Sequence, residues 1–186
     1  MEVKVARGEG LHSSHRSRLM KISRLHWVVF LALLSAQAFA RNASGVLTVT
    51  ATVANVCAVS QGGGNLAFGV YDPVNANANS PLAQVGTFQL QCTTGTNATI
   101  GLSQGANPAA FSTEAAPLRN LSNGSQKLAY QIYTTVSKSA VWDNVTGVAH
   151  QADGTRQTIS VYGTIPPGQV VASGNYADTV VITISY

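Results

Sequence analysis

Between Gly45 and Cys57 the chain reads GVLTVTATVANVC, and its apolar positions recur at every second residue. Leu47, Val49, Ala51 and Val53 share one face while Thr48, Thr50 and Thr52 share the other, the period of a strand with one apolar side. The spacing predicts a strand over Val46–Ser60, closed by the Gly-rich turn QGGGN. Similar alternation returns further on, with turn chemistry between the runs. Val85–Cys92 sets Phe88, Leu90 and Cys92 against Thr87, Gln89 and Gln91. Ala98–Ser103 follows after the turn TTGTN, so these two runs are expected to form a hairpin. Lys127–Thr134 groups Leu128, Tyr130 and Ile132. Arg156–Tyr162 and Val170–Ala172 flank the turn GTIPPGQ, and Tyr176–Tyr186 completes the set. No segment sustains a helical period, and Gly, Asn, Thr and Ser dominate the connections. The class is therefore all-β, a sandwich, with Val74–Ser80 and Ala106–Ala116 as small-residue loops.

The first strand carries a functional implication. A terminal strand with an uncovered apolar face invites aggregation. It is also the element with which one subunit can complete the sheet of another. With a second β-prone run, GNYADTVVITISY, at the far end, the expectation is head-to-tail assembly.

Residues 1–40 are set apart as a signal peptide. Lys21 and Arg24 open a basic region, Trp27–Leu34 is an apolar core, and Ala38-Phe39-Ala40 is a small-residue cleavage signal. The apolar core is too short to span a bilayer, and no mature membrane-spanning segment is expected. Met20 is a second candidate start, which would make residues 1–19 an upstream extension. Removing the leader changes the charge. The whole chain carries +4, whereas residues 41–186 hold five Lys and Arg (Arg41, Arg119, Lys127, Lys138, Arg156) against five acids (Asp72, Glu114, Asp143, Asp153, Asp178). A neutral domain offers no electrostatic footprint for nucleic acid. The two cysteines, Cys57 and Cys92, both fall in the exported part, where oxidation is permitted. Two cysteines allow one connectivity, and a disulfide between them is expected.

Chemistry-bearing residues are sparse. His150 is the one histidine after residue 40 and sits in a loop-like AHQADG segment. Asp72, Asp143, Asp153 and Asp178 lie beside turn or strand-start residues, where Asp bonds local backbone, and Asp178 is expected to support its adjoining turn. Gly62–Gly64 lacks the following helix and the Lys of a phosphate cradle. Trp142, Tyr130, Tyr133 and Tyr162 could line a sugar-binding surface, but core and groove packing is the favoured role. No catalytic residue, cofactor or metal site is expected, and the chain reads as a non-enzyme.

Several marks in order resemble the spore coat protein U family, which includes the Csu-type (archaic chaperone–usher) pilins. They are Phe68-Gly69-Val70-Tyr71 after the first cysteine, the second cysteine after FQLQ, and Gly105 of LSQG. Arg119-Asn120-Leu121, LAYQIY with Trp142 downstream, VYGTIPPGQ and the terminal G-x-Y-x-D-T-V-V-I-T-I-S-Y follow. The resemblance runs from about Gly45 to Tyr186. It implies an incomplete immunoglobulin-like β-sandwich lacking its final strand, completed by donor-strand exchange. A periplasmic chaperone would lend a strand first. At an outer-membrane usher, the N-terminal segment of the next subunit would replace it.

Carried onto this chain, residues 41–54 would be the donor strand, with Leu47, Val49, Ala51 and Val53 filling pockets. Residues 55–186 would be the pilin domain. Tyr176, Val180, Ile182, Ile184 and Tyr186 on the last strand would form one wall of the receiving groove. Ala51 departs from the pattern, being small where a larger aliphatic would bury more, so its pocket is expected to be shallow. The implied product is an exported, periplasm-transiting subunit of a surface pilus or coat, supporting adhesion and biofilm formation. Its partners would be other copies or related pilins, the chaperone and the usher. Asn42, Asn97, Asn120, Asn123 and Asn144 each start an N-x-S/T triplet; on this family assignment they reflect a polar β surface. The alternatives are an adhesive tip or adaptor subunit that binds a surface or glycan, and a monomeric exported ligand-binding β-domain. The last would need Val46–Val53 to pack within its own sheet.

Overall fold

The structure is a computed structural model that describes residues 41–60 and 63–186; the predicted signal peptide, 1–40, lies outside the described residues. Residues 41–48 belong to one unit and carry no regular structure where described. Among the described residues every strand falls in the other unit, Val49–Tyr186.

The strands are β1 (Cys57–Val59), β2 (Leu82–Cys92), β3 (Asn97–Leu102), β4 (Arg119–Ser122), β5 (Lys127–Tyr133), β6 (Val148–Gln151), β7 (Arg156–Ile165) and β8 (Ile182–Ser185). They form a five-stranded sheet in the order β1-β2-β7-β5-β4 and a three-stranded sheet in the order β6-β3-β8. The longest ladder pairs β2 with β7, from Leu82↔Ile165 to Gln91↔Arg156. All strand pairs among the described residues are antiparallel.

Burial follows the alternation. On β2, Phe88, Leu90 and Cys92 are buried between exposed Thr87, Gln89 and Gln91; on β5, Leu128, Tyr130 and Ile132 are buried. These side chains join Ile100, Leu102, Trp142 and Ile165 in one core. The Trp142 indole N–H donates to the Ile100 carbonyl at 2.8 Å, so its one polar group is satisfied within the core. The phenyl ring of Phe68 meets Tyr130 edge-on at 5.9 Å. Gly163 permits this arrangement, because a Cβ there would collide with Leu66 and Phe68 where they cross β7. The expected disulfide is present: Cys57 and Cys92 face each other across the β1–β2 ladder.

Several expectations need correction. Val85–Cys92 and Ala98–Ser103 are not a hairpin: β2 belongs to the five-stranded sheet and β3 to the three-stranded one, so the Thr93–Thr96 turn crosses between layers. Of the run Val46–Ser60, only Cys57–Val59 is a strand. Of Tyr176–Tyr186, only Ile182–Ser185 is. β7 continues to Ile165, into the expected turn. Val170–Ala172 forms no strand. Two prolines precede it and lack the N–H a ladder needs, and side-chain amides do the pairing instead. Gln169 accepts from the Ala129 N–H at 2.7 Å and donates to its carbonyl at 2.9 Å, while Gln126 accepts from the Ala172 N–H at 2.7 Å. Neither β4 nor β6 is predicted by periodicity, since four residues show only two alternations.

Candidate strand-acceptor groove

The approach to β8 sets up an open edge. The N–H and C=O of Ala177 pair with Ser122 at 3.0 and 2.9 Å. The carbonyls of Thr179 and Val181 accept from the N–H groups of Ala106 and Ser103, both at 3.0 Å. Thr183 and Ser185 then lie opposite Gly101 and Thr99 on β3. Odd-numbered residues thus turn their backbone groups toward β3 and β4. By the alternation of an antiparallel ladder, Val180, Ile182 and Ile184 turn theirs the other way. Among the described residues, β3 is the one strand paired with β8.

Across that edge lies Asn65–Tyr71. Asn65 exchanges two backbone bonds with Thr87, at 3.1 and 3.2 Å, which carries the edge of the five-stranded sheet beyond β1. Between the walls is a cavity of about 220 Å³, floored by Phe88, Tyr130 and Ile132 and flanked by Leu66, Val180 and Ile182. A second cavity of about 720 Å³ continues between Leu66–Tyr71 and Val171–Asp178. The side chains of Tyr176, Val180, Ile182 and Ile184 pack against the core from this edge, whereas Tyr186 is 58% exposed.

The Asp178 end of the cavity is held by polar contacts. One carboxylate oxygen accepts from the N–H groups of Ala106 and Asn107 at 3.0 and 3.1 Å, and from the Asn107 amide at 3.0 Å. The other accepts from the Tyr130 hydroxyl at 2.7 Å. Burial first, then this bond, pushes the Tyr130 hydroxyl far above its ordinary pKa of 10.0. Gly105, at φ 87°, lets Asp178 press against its backbone, a place a side chain would occupy. Nearby, Arg119 is buried with its guanidinium spread over the carbonyls of Leu102, Ser103 and Trp142 at 2.6–2.9 Å. Desolvation lowers its pKa, opposed by Tyr130 and Asp178. Arg119 therefore fastens the ends of β3 and β4 behind the groove.

The segment with strand periodicity at the N-terminus stands exposed. Leu47 is 85% and Val49 and Val53 each 82% exposed; Ala51 is exposed too. No strand includes them; the Ala54 carbonyl accepts from the Thr93 hydroxyl at 3.2 Å, and backbone-to-backbone pairing begins where the Val56 carbonyl accepts from the Thr93 N–H at 2.9 Å.

The remaining polar candidates serve local structure. Asp72 caps its turn through the N–H groups of Asn75 and Val74, which hold its pKa down. Burial pushes Asp143 up, but donors at Thr146, Val145 and Gly147 outweigh it. The Thr155 hydroxyl and N–H lower Asp153. The His150 ring meets the Gln157 amide at 2.7 Å. Trp142 and Tyr130 lie in the core, so neither presents a face to a sugar. Among the described residues no three His, Cys, Asp or Glu side chains gather where a metal could sit, and no helix is long and apolar enough to cross a membrane. The wall Leu66–Phe68 and the Arg119 anchor were not expected as parts of the groove. Their signal in the sequence is slight: Phe68 and Arg119 belong to the family marks, but nothing there says where they fold.

The described strands thus form two antiparallel sheets, with the groove along the edge of β8. Solved structures match the chain at the level of fold. The chain in the CsuC–CsuE chaperone–tip adhesion subunit pre-assembly complex of Acinetobacter baumannii matches with TM-score 0.51 and 19% identity, over 73% of this chain and 40% of that one. This chain thus spans well under half the length of that match. A chaperone–usher pilus matches with TM-score 0.51 and 14% identity, over 78% of this chain and 97% of that one. The P pilus rod subunit PapA also matches with TM-score 0.51, at 15% identity, over 70% of this chain and 98% of that one. In sequence, Protein U of Myxococcus xanthus is 42% identical over 155 residues, covering 79% of this chain and 87% of that protein. The Spore Coat Protein U domain model matches residues 43–183. The chain belongs to the Spore Coat Protein U domain family.

Proposed function

We propose that this protein is an exported, non-enzymatic structural subunit that polymerises by donor-strand complementation into a surface pilus or coat. Residues 41–54 act as the donor and residues 55–186 as the body that receives it, after a leader over 1–40. The observation that carries this reading is the pairing of two features in one chain. Among the described residues one edge of β8 has no strand partner and overlooks a cavity lined by Leu66, Phe88, Ile132, Val180 and Ile182, and Leu47, Val49 and Val53 stand exposed at strand spacing. An inserted strand would satisfy the free backbone groups of Val180, Ile182 and Ile184 and bury apolar surface in the same step.

Burying each large aliphatic contributes about 1.5–3 kcal/mol, so three give roughly 5–9 kcal/mol before the backbone ladder is added. Slow dissociation follows, as a fibre or coat requires. In this scheme a periplasmic chaperone occupies the groove first and an outer-membrane usher directs the exchange, with adhesion and biofilm formation as the outcome. The similarity to a chaperone-bound tip subunit and to pilus rod subunits supports such partners.

Deletion of Gly45–Val53 is the direct test. The truncated subunit should still accept a donor strand but never give one, so mixing it with the whole chain should cap polymers and shorten them. Polymer length unchanged by the deletion would refute the donor role.

A further inference from the structure

Phe111 is 96% exposed and has φ 64°, in the left-handed region that a bulky side chain avoids. Its loop is firmly built. Ala109 donates to the Leu118 carbonyl at 2.8 Å, Ser112 to the Ala109 carbonyl at 3.2 Å, and Leu118 to the Ser112 hydroxyl at 2.8 Å. An aromatic ring held out on a disfavoured backbone is a reason to look for what it meets.

The chain's own geometry identifies the partner. A strand added beside β8 in the antiparallel sense of every other pair runs from the Tyr186 end toward Asp178. Its C-terminal end, and the body that follows, must emerge at Asp178. That body is close. In each copy the residue after Val53 is already tied down: the Ala54 carbonyl accepts from the Thr93 hydroxyl at 3.2 Å. Val56 and Thr93 exchange further bonds at 2.9 and 3.2 Å. Were Val53 seated at the groove's Asp178 end, the donor's Thr93–Thr96 turn would lie within a few residues' reach of it, at about 3.3 Å per residue. On the receiving copy, Asp178 also holds the base of the Phe111 loop through Ala106 and Asn107.

We propose that the Phe111 loop is a contact surface for a second copy of this chain, the one whose N-terminal segment fills the groove. The ring packs against that copy's Thr93–Thr96 turn and its half-exposed Val56, stiffening the joint between successive bodies. This inference rests on the donor-strand function proposed above.

The test places a photo-crosslinking phenylalanine analogue at position 111 in one full-length chain and at position 53 in another. Each is assembled with isotope-labelled wild type so that links between copies can be told from links within one. The expected result is that position 53 links to the Asp178–Val180 region of a neighbour, and position 111 to a neighbour's 54–56 or 93–96. In addition, Phe111→Gly, which tolerates the backbone, should leave the isolated subunit folded while assembled material dissociates several-fold faster in denaturant. Links from position 53 into the groove, with position 111 linking elsewhere or not at all, would overturn the contact and leave the donor strand standing. Links from position 53 to the Tyr186 end would overturn it by reversing the strand. No groove link from position 53 would bring down the donor-strand function itself, and this contact with it.

Discussion

Val49→Ala isolates the joint from the subunit. Val49 is 82% exposed and has no strand partner, so truncating it should leave the melting of an isolated subunit unchanged. In the assembled form the same side chain would enter the groove between β8 and Leu66–Phe68. Removing two methyl-sized groups there forfeits about 1.6 kcal/mol of transfer free energy, and a residual cavity would add to it. Since about 1.4 kcal/mol is a factor of ten, the joint should weaken roughly tenfold or somewhat more. The assay compares two denaturant titrations, one following loss of polymer by sedimentation and one following unfolding of the isolated subunit by circular dichroism. Polymer loss should move to lower denaturant while subunit unfolding stays in place. Equal shifts in both curves would mean that Val49 packs within its own subunit. No shift in either would mean that it faces no pocket.

Ala51→Val should likewise alter how readily assembled material dissociates in denaturant, and an unchanged midpoint would remove Ala51 from the inserted face. The Cys57–Cys92 bridge spans 35 residues, and its loss through paired Cys→Ser substitution should cost about 4 kcal/mol on the chain-entropy estimate. Thermal melts measure that cost, and two titratable thiols in the oxidised protein would contradict the bridge. Tyr130 has its pKa raised by folding, so its contribution is fully present below the unfolded value of 10.0 and lost as pH climbs beyond it. Tyr130→Phe should therefore flatten part of the alkaline decline in stability, and an identical decline in the variant would show that burial and the Asp178 bond do not together raise the Tyr130 pKa.

Local alternation was legible and is reproduced where a strand has one buried face. The inward set Phe88, Leu90, Cys92 and the set Leu128, Tyr130, Ile132 follow from the two-residue period alone, because the side a residue faces is a property of the backbone. Asp178 was expected to support its adjoining turn, but its carboxylate accepts instead from Ala106, Asn107 and Tyr130, 48 to 72 positions away, partners that no local pattern names. The pairing of β2 with β3 was misjudged for a like reason. The TTGTN turn fits a hairpin, and Gly95 does take a positive φ there. The choice between turning back within a sheet and crossing to the other layer, however, depends on β7 occupying the far side of β2. β4 and β6 escaped notice because four residues hold too little pattern to separate from loop. Arg119 illustrates the limit well: an arginine in a Leu-Arg-Asn-Leu run looks like surface, and only the carbonyls of Leu102, Ser103 and Trp142 arriving from two other segments make its burial tolerable.

The primary structure alone decided the class, the single possible disulfide and the alternation of apolar and polar residues over Leu47–Val53. Each depends on residue type and spacing within a few positions. The tertiary arrangement decided that Leu66–Phe68 and Val180–Ile184 form opposite walls, that a cavity lies between them, and that Asp178 joins the groove to the Phe111 loop. Those relations bring together residues 71 or more positions apart. Which backbone edge stays open is set by the packing of two sheets, and no stretch of sequence contains that information locally.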